Sequence, residues 1–145
     1  MNILMNMDYK PNQAVVFDID DTLIDSLTRR PIKIVMNMYN YCVERGYTIY
    51  IITARTHNEP NLKRTLEELQ SIGVTKGNLY MRPSGRNSSL WKRDTRKNIL
   101  EEVVMSIGDK HGDIGEYGGI GVLVYKDHKT LSHKYVIKAE TIEFE

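Results

Sequence analysis

The stretch Ala14-Val15-Val16-Phe17-Asp18-Ile19-Asp20-Asp21-Thr22-Leu23 constrains the chain more than any other. Four apolar, mostly β-favouring residues run directly into three carboxylates within four positions. Such a run reads as a strand buried in a sheet, with the acids placed where it emerges. In open α/β sheets that carboxyl edge is where ligands bind. Three carboxylates crowded there repel one another, and a cation among them favours their ionised forms. The expectation is an oxygen-ligand metal site, with Mg2+ as the ion. Asp after a strand also serves as a turn former or a helix N-cap, so this stretch alone leaves both readings open. A calcium loop counted from Asp18 would need Gly at its sixth position and Glu at its twelfth. The chain has Leu23 and Arg29 there, which excludes it.

Beyond the acids, Ile24 to Arg30 reads as a short polar link. Pro31 suits the first position of a helix, and Ile32, Val35, Met36, Tyr39, Cys42 and Val43 recur at helical spacing. Gly46 is the expected C-cap, with Arg45 near the negative end of the helix dipole. Tyr47 to Ile52 predicts a second strand that delivers Thr53-Ala54-Arg55 to the same sheet edge. After the break at Asn58-Glu59-Pro60, a helix is expected from Asn61 to Ile72, with Leu62, Leu66 and Leu69 on one face and Gly73 closing it. Asn78 to Met81 predicts a third strand, and Arg82 to Ser89 a loop. Asp94 is the expected cap of a helix through Leu100. Val103 to Ile107 predicts a fourth strand ending in Gly108-Asp109-Lys110-His111-Gly112-Asp113, and Gly121 to Tyr125 a fifth. Tyr135-Val136-Ile137 and the acidic end receive no assignment.

Alternating strands and helices predict a three-layer α/β fold with a mostly parallel sheet of about five strands. At 145 residues the chain is expected to be one domain, 1–145. A formal charge of +1 gives no overall drive toward nucleic acid or membrane. The single cysteine, Cys42, excludes an intramolecular disulfide and reads as a small buried side chain. Met1 to Gln13 lacks the basic and apolar regions of a signal peptide, and no apolar run approaches the roughly 20 residues that span a bilayer. The expected location is intracellular, in the cytoplasm.

Four ordered elements, taken together, resemble a known family. They are Asp18-Ile19-Asp20-Asp21-Thr22, Thr53 after an apolar strand, a lysine within Trp91-Lys92-Arg93-Asp94-Thr95-Arg96-Lys97, and Gly108-Asp109 with Asp113 four residues on. The chain resembles a haloacid-dehalogenase (HAD) superfamily phosphatase over roughly residues 14 to 125. The acid after Asp20, the Lys-x-x-x-Arg spacing and Gly-Asp-x-x-x-Asp are most similar to the acid-phosphatase-like branch, with polynucleotide 3′-phosphatases as near neighbours. A receiver domain, which also uses Asp, Thr and Lys around Mg2+, is excluded by the order of the motifs.

The resemblance implies a Mg2+-dependent phosphomonoesterase of Rossmann-like fold. Asp18 would be the nucleophile forming an aspartyl-phosphate, and Asp20 the general acid and base, holding a proton part of the time. Asp18, the backbone carbonyl of Asp20, and Asp109 would bind the cation, with Asp113 completing its shell or capping a short helix. Thr53 and Lys92 would bind the transferring phosphoryl oxygens, Lys97 being the competitor for Lys92. Arg55 would touch substrate or form a structural ion pair. Asp21 is expected in the loop, and His57 and His111 on the surface. A catalytically idle binding module of the same fold is the alternative.

The links after the first motif and between the second and third are too short for a cap domain. Within the family, capless members act on macromolecules or close their sites by oligomerising, so a phosphorylated small molecule or macromolecule and a homo-oligomer are the implied partners. Arg29, Arg30, Arg82, Arg86 and Arg93 lie in or beside expected loops. Near the site, they would attract a nucleotide or a nucleic-acid end.

Overall fold

The computed structural model describes residues 10–138. The expectations for the first residues and for the acidic end therefore lie largely outside the described residues. The chain runs β1 (Gln13–Phe17), α1 (Lys33–Arg45), β2 (Thr48–Thr56), α2 (Glu59–Ser71), β3 (Asn78–Arg82) and α3 (Ser88–Lys97). It continues through β4 (Glu102–Gly108), a 3-10 turn (His111–Asp113), β5 (Ile120–Lys126) and β6 (His133–Lys138). The sheet order is β3-β2-β1-β4-β5-β6, parallel throughout except for the antiparallel β5–β6 pair. This is the expected α/β architecture with one strand more than anticipated. Among the described residues no separate cap domain is present.

β1 is buried at every position, as its uninterrupted apolar run requires of a central strand. Successive side chains point to opposite faces. Val15 and Phe17 join the larger core under α1 and α2, with Val35, Tyr39, Cys42 and Leu69. The Phe17 and Tyr39 rings meet edge to face at 5.8 Å. Val16 faces the other way, packing with Ile52 and Trp91 of α3. The order therefore resolves into three layers, with β1 and β4 side by side at the point where the chain reverses its direction of travel across the sheet. That switch point opens a crevice at the carboxyl ends of the two strands. Asp18 and Asp109 are the residues that immediately follow them.

Several local expectations are corrected. The expected polar link from Ile24 to Arg30 is exposed only from Ser26 onward: Leu23, Ile24 and Asp25 are buried. The Ile19 carbonyl accepts from the amides of Thr22, Leu23 and Ile24, and bridges from Ile24 to Asp20 and Pro31 close a small flap. Pro31 belongs to that bridge, so α1 starts two residues later, with Gly46 as the expected left-handed cap. In α2 the cap is Asn58, whose side chain accepts from the Asn61 amide, and Pro60 sits inside the first turn. Its buried residues are Thr65 and Leu69, whereas Leu66 is half exposed, because the helix turns Thr65 toward Arg55. Asp94 does not cap the third helix. Asn87 does, accepting from the Leu90 amide, so Lys92 lies on the helix and not before it. Tyr135-Val136-Ile137 forms the centre of β6.

Candidate active site

Asp18 leaves the end of β1 with its amide donating to the Ile107 carbonyl of β4 at 3.0 Å, which locks the strand end against its neighbour. Its carboxylate is buried and accepts from Lys92 Nζ at 3.0 Å and from the Thr22 hydroxyl at 3.4 Å. Lys92 also pairs with Asp113. One carboxylate oxygen each from Asp18, Asp109 and Asp113 lie within 4.8 Å of one another.

Asp113 reaches this cluster because Gly108 has no side chain. A Cβ there would stand 2.1 Å from the Cβ of Asp113. The same carboxylate accepts from the Lys110 amide at 3.1 Å, so Asp113 caps the 3-10 turn while facing the site. Behind it, Arg96 donates to the carbonyls of Gly112 at 3.0 Å and Glu116 at 3.1 Å, clamping the loop that carries Asp113. Arg96 lies four residues after Lys92, hence on the same face of α3.

Burial, then repulsion from Asp113, pushes the Asp18 carboxyl well above its usual range, and Lys92 offsets this only in part. Burial likewise raises Asp109, the hydrogen bond from Asp18 opposing and Asp113 reinforcing. Burial works against the charge of Lys92, but Asp18 and Asp113 outweigh it and hold the ammonium protonated. One ammonium against three carboxylates, those of Asp18 and Asp113 buried and that of Asp109 partly so, leaves a negative, all-oxygen site, and a divalent cation fits that donor set.

A cavity of about 140 Å3 opens over this cluster. Thr53, buried in β2 two residues beyond that strand's last partner on β1 and paired with Met81 of β3, lines it together with Ser88 and Ser89 from the start of α3. The structure thus brings together Asp18, Thr53, Lys92, Asp109 and Asp113. Lys97 instead lies exposed, its ammonium 5.7 Å from the centre of the Tyr117 ring. Asp21 sits in the loop with φ +59°, and its carboxylate accepts from the Ser26 amide and hydroxyl. Asp tolerates that left-handed backbone better than most residues. His57 and His111 are exposed. Thr22, Ser88, Ser89 and Arg96 went unmarked as site residues. The Lys-x-x-x-Arg spacing was the available signal for Arg96.

Asp20 is placed differently from its neighbours. Both its oxygens are held by Arg55, from Nε at 3.0 Å and Nη2 at 2.8 Å, with Arg29 Nη1 at 3.9 Å. Burial favours its neutral form, yet the Arg55 bond and charge outweigh burial and lower the carboxyl below its usual range. In this arrangement Asp20 is ionised, and acid–base service requires it to leave Arg55. The expected basic rim is also redistributed. Arg82 donates to the Ala54 carbonyl and the Thr56 hydroxyl, and Arg86 and Arg93 both pair with Asp94. None of these three lines the cavity over the carboxylates.

The profile of the HAD superfamily, subfamily IIIB (acid phosphatase), matches residues 27–140. The chain belongs to this family. The matched stretch contains Thr53, Lys92, Arg96, Asp109 and Asp113, while the acidic turn at Asp18 precedes it. Among solved structures the chain is similar to a hypothetical protein of Pyrococcus horikoshii, at 21% identity and a TM-score of 0.40. That likeness covers 72% of this chain and 35% of the other, so the chain spans about a third of that protein's length. No curated protein matches it. Among the described residues, no helix is long and apolar enough to cross a membrane.

Proposed function

We propose that this chain, as one uncapped hydrolase domain, is a Mg2+-dependent phosphatase working through an aspartyl-phosphate on Asp18. The observation that carries the reading is the meeting of Asp18, Lys92, Asp109 and Asp113 at the switch point of the sheet. Asp18, Asp109 and Asp113 would hold the cation, with the Asp20 carbonyl as a further oxygen ligand. When bound, Mg2+ neutralises the charge between carboxylate and phosphate. The Asp18 carboxylate attacks phosphorus, an Asp–O–P bond forms, and the bond to the leaving oxygen breaks. Lys92 and Thr53 hold the equatorial oxygens as their charge develops. Asp20, released from Arg55, takes up a proton from solvent and passes it to the leaving oxygen. It then takes a proton from the water that attacks phosphorus and frees Asp18.

The open site suits a phosphorylated nucleotide, nucleic-acid end or other large substrate, alone or with a second copy of the chain shaping the entrance. The deciding experiment is hydrolysis of an aryl phosphate and a nucleotide panel with and without Mg2+, wild type beside Asp18→Asn. Turnover that needs the metal and disappears in the variant supports the reading. Clean protein that binds Mg2+ and a phosphate mimic yet turns over nothing would identify a binding module instead.

A further inference from the structure

Beside the catalytic cavity lies a second one, of about 310 Å3, walled by Asp20 and by Arg29, Arg55, Arg64 and Glu68. Asp20 lines both cavities. A leaving group whose scissile oxygen sits at Asp20 therefore extends into a chamber of guanidiniums. Resting on the phosphatase reading above, we propose that this chamber selects phosphomonoesters whose leaving group carries a second phosphate, and that this phosphate releases Asp20 by taking over Arg55.

The charges argue for this. Three guanidiniums face the carboxylates of Asp20 and Glu68, a balance of +3 − 2 = +1. Arg55 divides itself between them, gripping Asp20 with two nitrogens and reaching Glu68 at 3.3 Å. Once Asp20 turns to the leaving oxygen, the balance becomes +3 − 1 = +2, which a phosphate dianion matches. A planar fork that binds one carboxylate with two parallel bonds binds phosphate oxygens in the same geometry. The turning of Asp20 leaves Nε and Nη2 of that fork without an acceptor in a partly buried place, Nη1 alone keeping Thr65 and Glu68, unless an anion replaces it.

Arg29 adds an independent observation. It has φ +61°, a backbone conformation that non-glycine residues seldom adopt, and pairs with Glu68 across the chamber. Strain of this kind persists where surrounding structure enforces it, often at ligand clamps. Arg64, on α2, stands at the outer wall with one nitrogen on Asn61. Neither Arg29 nor Arg64 contacts the carboxylates that would hold the cation.

The mechanism separates this idea from simple attraction. An anion that only adds binding lowers KM and leaves kcat alone. An anion that frees Asp20 also raises kcat. The experiment compares, with Mg2+, a nucleoside 3′-monophosphate, the 3′,5′-bisphosphate of the same nucleoside, and a dinucleotide bearing a 3′-phosphate. The wild type is expected to favour a second anion by about tenfold or more in kcat/KM, part of it in kcat, from one or two charge-assisted bonds. Arg29→Gln and Arg64→Gln should each erode the preference. Which of the two substrates with a second phosphate gains more tells a free bisphosphate from a chain end.

Binding of the same three compounds to Asp18→Asn, followed by calorimetry, reads the chamber without turnover and should follow the same order. Robust hydrolysis with equal kcat/KM for all three, and equal binding, would overturn the chamber while sparing the phosphatase. A preference confined to KM would overturn the release of Asp20. Absence of turnover for every substrate would overturn the phosphatase reading, and this one with it.

Discussion

Arg96 offers the sharpest test of how the site is held together, because its side chain touches backbone and its loss should be felt at Asp113. The residue is 3% exposed and bonds the carbonyls of Gly112, Glu116 and Ile114 at 3.0, 3.1 and 3.5 Å. Arg96→Met keeps most of the volume and removes every donor. Each of the two shorter bonds is a charged hydrogen bond, worth roughly 1.5–3 kcal/mol net, and the long third bond adds little. Against the sum stands relief of the guanidinium's own burial, which already disfavours its charged form. The exposed Gly115 and Glu116 also let part of the loop reach water. A loss of about 3 kcal/mol follows, or roughly 10 °C in Tm for a chain of this size.

Urea unfolding in metal-free buffer measures that loss directly. A Mg2+ titration should then show affinity weakened by about tenfold, as expected when a ligand loses the group that orients it. Arg96→Lys should fall between, since one ammonium cannot span both carbonyls as the fork does. If Arg96→Met stayed within about 0.5 kcal/mol of wild type with an unchanged Mg2+ response, the loop would not depend on this clamp.

Three further outcomes are expected. The Asp25 carboxyl is held at about 2, first by the Thr28 amide, with burial opposing and the Leu27 amide and Lys126 assisting. Its folded value is depressed, so its contribution is full above about pH 4 and is lost as pH falls toward about 2. Asp25→Asn should accordingly lower the urea midpoint at pH 7 and converge with wild type near pH 2, and a gap independent of pH would contradict this. Gly119 has φ +65°, and a Cβ there would stand 2.5 Å from the Val104 carbonyl carbon and oxygen. Gly119→Ala should cost about 3 kcal/mol or more, read from thermal unfolding, and a shift under about 1 kcal/mol would refute the packing. Cys42 is fully buried, and burial raises its thiol to about 12. A colorimetric thiol reagent should find no reactive group in the native protein and one in urea. Fast native labelling would mean that α1 opens readily.

The parts of the site carried by strand ends were legible because two local rules coincide there. An uninterrupted apolar run marks a central parallel strand, and in this topology the residue after such a strand faces the crevice. That reasoning locates Asp18 after β1 and Asp109 after β4, whereas β2 continues to Thr56, so Thr53 reaches the cavity from inside its strand. β6 escaped it because it is an antiparallel edge strand with four of its six residues exposed, its three apolar side chains flanked by Lys134 and Lys138. The Asp20–Arg55 pair escaped it for another reason. It joins residues 35 apart in sequence, and no periodicity encodes which loop cation meets which loop acid.

The misread boundary of α3 follows from the function itself. Helix recognition rests on an apolar stripe at i, i+3 and i+4, and the inward stripe of α3 is Trp91, Lys92 and Arg96. Two of those three are cations, so the segment resembles a solvated loop, and Asp94 in its middle looks like a cap. A helix that buries two cations on one face must set them against buried acceptors, because an unpaired buried charge is too costly to keep. Here the acceptors are the carboxylates of Asp18 and Asp113 and the carbonyls of Gly112 and Glu116. The pattern that hid the helix therefore carries its own information. In a chain where strand ends deliver several acids to one edge, a lysine and an arginine four residues apart beside a buried tryptophan point inward to them.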